Sequence, residues 1–170
     1  MRRVLLSFFG AGFLRPAPGT WGSLAALPAA WVLHVIGGPW LLLLASVALY
    51  FGGVKATAIE TATADDHDPG WIVADEVVGQ WIALLPVSLG AWQAGLSPLK
   101  LWPGIVAAFV LFRLFDIWKP WIIGRIDDRG DATGVMLDDV WAGLFAAICV
   151  VVLAALAHQG FVAMVNPADP

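Results

Sequence analysis

Residues 20–54, TWGSLAALPAAWVLHVIGGPWLLLLASVALYFGGV, contain no Asp, Glu, Lys or Arg. A helix crosses the hydrocarbon core of a bilayer in about 20 apolar residues. This run is too long for one crossing and too apolar for a soluble surface, and Gly37-Gly38-Pro39 punctuates it near the middle. It therefore predicts two membrane segments joined by a tight turn. Two further charge-free runs follow, 77–99 and 140–168. Across all 170 residues, 60% are hydrophobic, 13% are charged and the mean hydropathy is +0.82, well outside globular usage. The bilayer is the natural solvent for such a chain.

Five apolar segments emerge, at 21–36, 40–59, 72–89, 101–118 and 135–157. All are expected as helices, because backbone polar groups in lipid must bond within their own segment. The fold class is all-α, a helical integral membrane bundle of about four to five apolar helices. It forms a single domain over 1–170, with an N-terminal segment (1–20) leading into the site and a tail from 158. The first and fourth segments are short, which leaves a re-entrant or interfacial helix open for either. Two arginines precede a short apolar run at the start, but Gly10, Gly12, Arg15, Pro16 and Pro18 break it, so no signal peptide is expected. Cys149 is the lone cysteine, which excludes a disulfide framework or a cysteine metal cluster.

Threading the segments up and down puts Arg2, Arg3, Arg15, Lys55, Arg113, Lys119, Arg125 and Arg129 on one side and leaves Lys100 opposite. The positive-inside rule makes the first side cytoplasmic, in a multi-pass membrane protein. The same side collects the unusual polar residues. Ionisable groups at membrane segments are costly and tend to face the bundle interior or a wet cavity, where they serve a function.

Asp68, Asp75, Glu76, Asp138 and Asp139 are candidate metal ligands. An oxygen-only set without clustered cysteine or histidine suits magnesium or manganese. Crowded carboxylates repel one another in a low dielectric, and a bound cation holds them ionised together. Asp75, Glu76, Asp116 and Asp139 are the candidate catalytic residues. Helix capping is the competing explanation for Asp75, Asp138 and Asp139. Successive helical residues point about 100° apart, so one member of each acidic pair is expected to turn away from the metal. Arg113 and Lys119 are candidate phosphate ligands, against the plainer alternative of an Arg113–Asp116 ion pair and a lysine reaching to headgroups. Thr20 and Ser23, in Pro18-Gly19-Thr20-Trp21-Gly22-Ser23, offer hydroxyls at a helix start where phosphate oxygens bind well. His67 is more simply a solvated loop residue, and the tryptophans are expected as interfacial anchors.

Four blocks, Ala17-Pro18-Gly19-Thr20-Trp21-Gly22-Ser23, Ile72-Val73-Ala74-Asp75-Glu76-Val77-Val78-Gly79, Phe112-Arg113-Leu114-Phe115-Asp116-Ile117-Trp118-Lys119-Pro120-Trp121 and Gly134-Val135-Met136-Leu137-Asp138-Asp139-Val140-Trp141-Ala142-Gly143, resemble in order the phosphatidylglycerophosphatase A family. The resemblance runs from about Gly10 to Ala147. It implies a magnesium-dependent membrane enzyme that converts phosphatidylglycerophosphate to phosphatidylglycerol and phosphate, with a phospholipid as its partner and no nucleic acid. Residues 126–133 are more acidic than the family's basic, glycine-rich connection, so Asp127 is left out of the expected site. A small ion- or proton-coupled transporter is the competing class, but it should place its polar groups near the midplane, often in related halves. No repeat is visible here.

Overall fold

The computed structural model describes residues 1–62 and 69–165, without the side chains of 160–165. Its helices are α1 (Arg2–Leu6), α2 (Pro18–Glu60), α3 (Ala74–Gln93), α4 (Trp102–Trp118), α5 (Ile122–Asp127) and α6 (Ala132–Val165), with 3-10 turns at Ala11–Phe13 and Pro98–Leu101. The described residues contain no strand. Among the described residues, three stretches are long and apolar enough to cross a membrane: Pro18–Glu60, Pro98–Trp118 and Ala132–Gln159.

The first of these bends back on itself. Gly37 (φ −146°, ψ 18°) and Gly38 (φ 64°, ψ −157°) leave helical geometry, and the Gly38 combination is open essentially to glycine alone. A side chain there would also strike the Trp92 ring at 2.6 Å. The two arms of α2, before and after this break, match the two segments expected from residues 20–54. The last expected segment begins earlier than 135, and its helix continues through Val165, into the expected tail. Two short helices, α1 and α5, were not expected. Neither has the apolar length that makes a segment conspicuous.

The third expected segment is α3, and it lies at the centre. Twelve of its 20 residues are buried, whereas α4, of mean composition more apolar, buries only Ala108 and Phe112. The reason is physical: lipid favours the apolar helices outside, and the helix carrying Asp75, Glu76 and Gln80 is enclosed by them. The first arm of α2 runs beside α3, with Trp81 donating to the Ala26 carbonyl at 3.0 Å and His34 bonded to Ser88 at 2.7 Å. On the other side, α6 crosses α3 at Gly79 and Gly143, where a Cβ on either glycine would meet the partner backbone. Without a hydrophobic drive between helices in lipid, such small residues allow the close packing that holds them together.

The N-terminal segment folds over the start of α3. Val73 donates its N–H to Leu6 at 2.8 Å, Phe8 meets Trp81 edge-on at 5.9 Å, and Arg3 pairs with Glu60 at 2.5 Å.

Candidate active site

The Gly79–Gly143 crossing builds the site. Asp75 precedes Gly79 by four residues and Asp139 precedes Gly143 by four, so each acid lies one turn nearer the helix start on the contacting face. Close backbones at the glycines thus bring the two acids together. Glu76 joins them, and one carboxylate oxygen from each of Asp75, Glu76 and Asp139 can lie within 4.8 Å of the others. The 100° argument expected only one of Asp75 and Glu76 to face this point. Both do, because α6 approaches Asp75 while the longer Glu76 side chain reaches round the first turn toward Gly19 and Arg113.

Gly19 opens α2 against this cluster. A Cβ there would collide with Glu76 Oε1 and come within 3.1 Å of Arg113 Nη1. The sequence marks the Pro18–Ser23 stretch but not the reason for its glycine, which is the space it leaves beside an acid and a guanidinium. Arg113 and Asp116 form an ion pair one turn apart on α4, as the plainer reading of these two had it. Asp116 also comes within hydrogen-bonding reach of Asp139, so the pair is part of the cluster. Two carboxylates that close require a proton or a cation between them. Glu76 Oε2, Asp139 Oδ1 and Arg113 Nε are buried and have no hydrogen-bond partner among the described residues. Oxygen donors only, several acids and orphaned buried oxygens together fit a hard divalent cation.

Capping does not explain α6's acids. Asp131 takes that task, accepting from the Gly134 N–H at 2.6 Å, which leaves Asp138 and Asp139 well inside the helix. Asp138 turns from the cluster to Lys119 Nζ at 2.9 Å and also accepts from the Asp139 N–H at 2.9 Å. Lys119 simultaneously holds Asp127 at 2.5 Å. Burial works against the Lys119 charge, but hydrogen bonds and charge from Asp127 and Asp138 outweigh it and raise the ammonium above its ordinary range. The structure therefore places the expected phosphate ligand Lys119 between two acids, one of them the excluded Asp127. Ser23 is fully buried, and its hydroxyl donates to the Gly19 carbonyl at 2.9 Å. Thr20 is half-buried beside Gly19. Asp68 and His67 lie outside the described residues.

A helical bundle with apolar exterior helices and a cluster of buried acids and arginine at one end is the framework of a membrane-embedded enzyme. The comparisons make the class specific. The family model for phosphatidylglycerophosphatase A matches residues 4–154. A phosphatidylglycerophosphatase A of Haemophilus influenzae is 39% identical over 143 residues, covering 84% of this chain and 82% of that protein. One from Escherichia coli is 38% identical over 144 residues, covering 82% and 75%. A Bacteroides thetaiotaomicron protein with a provisional phosphatidylinositol-3-phosphatase name is 38% identical over 150 residues, covering 85% and 87%. No solved structure matches. The chain belongs to the phosphatidylglycerophosphatase A family and is a phosphatase.

Proposed function

We propose that this protein hydrolyses phosphatidylglycerophosphate to phosphatidylglycerol and inorganic phosphate, with magnesium, at the cytoplasmic face of a bacterial inner membrane during phospholipid synthesis. The observation that carries the reading is the convergence of Asp75, Glu76 and Asp139 beside Arg113 and Gly19, in a chain of this family. The polar groups gather at one end of the bundle, unlike a transport path.

Asp75, Glu76 and Asp139 would hold the magnesium ion. When bound, it supplies Lewis-acid polarisation of a phosphate oxygen and neutralises part of the acidic charge. Arg113 directs its guanidinium at the phosphate oxygens, with Asp116 fixing its orientation. Gly19 leaves room for the phosphate between that guanidinium and Glu76, and Thr20 offers a hydroxyl at the start of α2. Lys119 and Asp138 act a step removed, holding the turn of α6 that carries Asp139. In the reaction a water oxygen forms a bond to phosphorus, the ester bond to the glycerol oxygen breaks, and the leaving alkoxide takes a proton. Either a carboxylate of the cluster accepts the water proton directly, or it attacks phosphorus first and water releases the phosphate from the acyl phosphate. An acid-stable phosphoenzyme from labelled substrate selects the second route.

The test is phosphate release by purified protein in detergent, with phosphatidylglycerophosphate, phosphatidate and a phosphatidylinositol phosphate as substrates, with and without magnesium. Magnesium-dependent release that prefers the first lipid supports the reading. A folded protein that prefers another lipid moves the substrate, and one that releases phosphate from none overturns the reading.

A further inference from the structure

The second arm of α2 and the N-terminal helix enclose a cavity of 360 Å³. Arg2 and Leu5 of α1 line it, with Lys55, Ala56 and Ile59 of α2, and none of the acid cluster's residues does. The neighbouring contact of α2 with α6 gives its level in the bundle. A Cβ on Gly53 would meet Met136 Cε at 2.6 Å, and Met136 lies three residues before Asp139. Lys55 follows Gly53 by two residues toward the same end of the bundle. It therefore lies beyond the acids, where the bundle meets the membrane surface.

Charge at this cavity is lopsided. Arg3 holds one oxygen of Glu60 at 2.5 Å, and Arg2 reaches the other only at 3.8 Å, with its side chain 57% exposed. Lys55 is exposed and has no ion pair among the described residues. One carboxylate thus serves two arginines and the lysine has none, which leaves positive charge on both sides of the cavity. The same surface is apolar as well: Val4, Leu5 and Phe9 of the N-terminal segment are exposed, and so is Ile59 of the cavity wall. A short segment that combines cations with large exposed apolar side chains belongs in the membrane interface, which satisfies both. An acidic protein surface would answer the cations alone.

From this charge and its setting we infer that the cavity between α1 and α2 binds one anionic phospholipid of the surrounding leaflet, with the diester phosphate between Arg2 and Lys55 and the head of one acyl chain along Leu5 and Ile59. Basic clefts between membrane helices recognise anionic headgroups by the same chemistry. This lipid is a resident ligand and not a substrate, and its site is separate from the acids that hold the reacting phosphate. Its headgroup joins α1 to α2 across the cavity. Because the Leu6 carbonyl accepts the Val73 N–H at 2.8 Å, a lipid that steadies α1 also braces the segment covering the start of α3.

The experiment is native mass spectrometry of the purified full chain in a neutral detergent without magnesium, titrated with dioleoyl phosphatidylserine or dioleoyl phosphatidylcholine. Neither lipid is a phosphate monoester, so the outcome is independent of the phosphatase reading. Wild-type protein should retain one phosphatidylserine at concentrations where phosphatidylcholine is lost, and excess inorganic phosphate should not displace it. Each cation near a membrane surface is worth about fivefold in affinity, so Arg2→Gln combined with Lys55→Gln should weaken that first phosphatidylserine by about thirtyfold. Arg125→Gln combined with Arg129→Gln, two exposed positions on the same side of the membrane, removes the same charge away from the cavity and should leave the affinity near that of wild type. Equal weakening by this control pair would mean a general surface potential and overturns the inference. So does equal retention of the two lipids by the wild type, which needs no variant to be read. Displacement by inorganic phosphate would make the cavity a simple anion site and overturns the lipid as its occupant.

Discussion

At the residue scale, the acids divide into those that crowd and those that are neutralised. Asp75, Glu76, Asp116 and Asp139 face one another with Arg113 as the nearby cation, so Asp139→Asn removes repulsion as well as a ligand. The expected outcome is a loss of magnesium-dependent phosphate release of at least about a hundredfold, the scale on which a group stabilising transition-state charge acts. Thermal unfolding without metal should be unchanged or slightly later, because function and stability oppose one another at such a site. Magnesium should raise the midpoint of the wild type by mass action and leave that of Asp139→Asn unmoved, which scanning unfolding in detergent measures. A large gain in both proteins would place the metal elsewhere. Gly19→Ala puts a methyl against Glu76 Oε1 and Arg113 and should reduce activity while insertion and folding persist. The acids and Arg113 were conspicuous in the sequence because they interrupt uncharged runs. Which of Asp138 and Asp139 faces the cluster was not legible, since that depends on how α6 rotates against α3.

That rotation belongs to the element scale. Gly79 and Gly143 look like two small residues among 18 glycines, and no periodicity says that they face each other. Gly143→Val would push α6 from α3 and separate Asp75 from Asp139, lowering apparent magnesium affinity by about 10- to 100-fold or more, as loss of ligand support does. Gly52→Ala, whose Cβ meets nothing, is the control and should be silent in the same titration. Lys119 is the second device at this scale. It caps α4 in the left-handed region at φ 47° and ties Asp127 of α5 and Asp138 of α6 to that corner. Lys119→Gly separates the two roles. Glycine relieves the backbone, worth about 1 kcal/mol, whereas stranding Asp138, whose side chain is 5% exposed, costs about 3–5 kcal/mol. Net destabilisation is expected, and stabilisation would show the ammonium to be idle. Because the Lys119 pKa is raised, its contribution is complete below the unfolded lysine value and is lost only as pH rises through the higher folded value. On the alkaline side the difference between wild type and variant should therefore persist up to about pH 9. A tie spanning three elements could not be read from Lys119 and its sequence neighbours alone, which is why a phosphate contact was the natural expectation for it.

For the whole molecule, the pattern legible from the start was the alternation of charge-free runs with charged ends, because lipid tolerates little else. The helical hairpin of α2 and the enclosure of α3 are its direct consequences. Six of the seven exposed tryptophans follow the same division: Trp21, Trp118 and Trp121 lie at the end that holds the acids, and Trp40, Trp92 and Trp102 at the other, with Trp31 inside the first arm of α2. Trp102 and Trp118 are separated by about 24 Å along α4, close to the thickness of a hydrocarbon core, as two interfacial anchors on one helix should be. The charges then predict which end faces the cytoplasm. Arg2, Arg3, Lys55, Arg125 and Arg129 accompany the acid cluster, and Lys100 is alone at the far turn. Single cysteines test this in a Cys149→Ser background, one at Arg129 beside the site and one at Gln93 at the opposite end, both exposed. In intact spheroplasts a membrane-impermeant maleimide should label the Gln93 position and spare Arg129, and inverted vesicles should reverse the pattern. A site that reacts from outside the cell would put the acid cluster on the face away from the nucleotides and coenzymes of the cytoplasm, and would separate its phosphatase chemistry from cytoplasmic lipid synthesis.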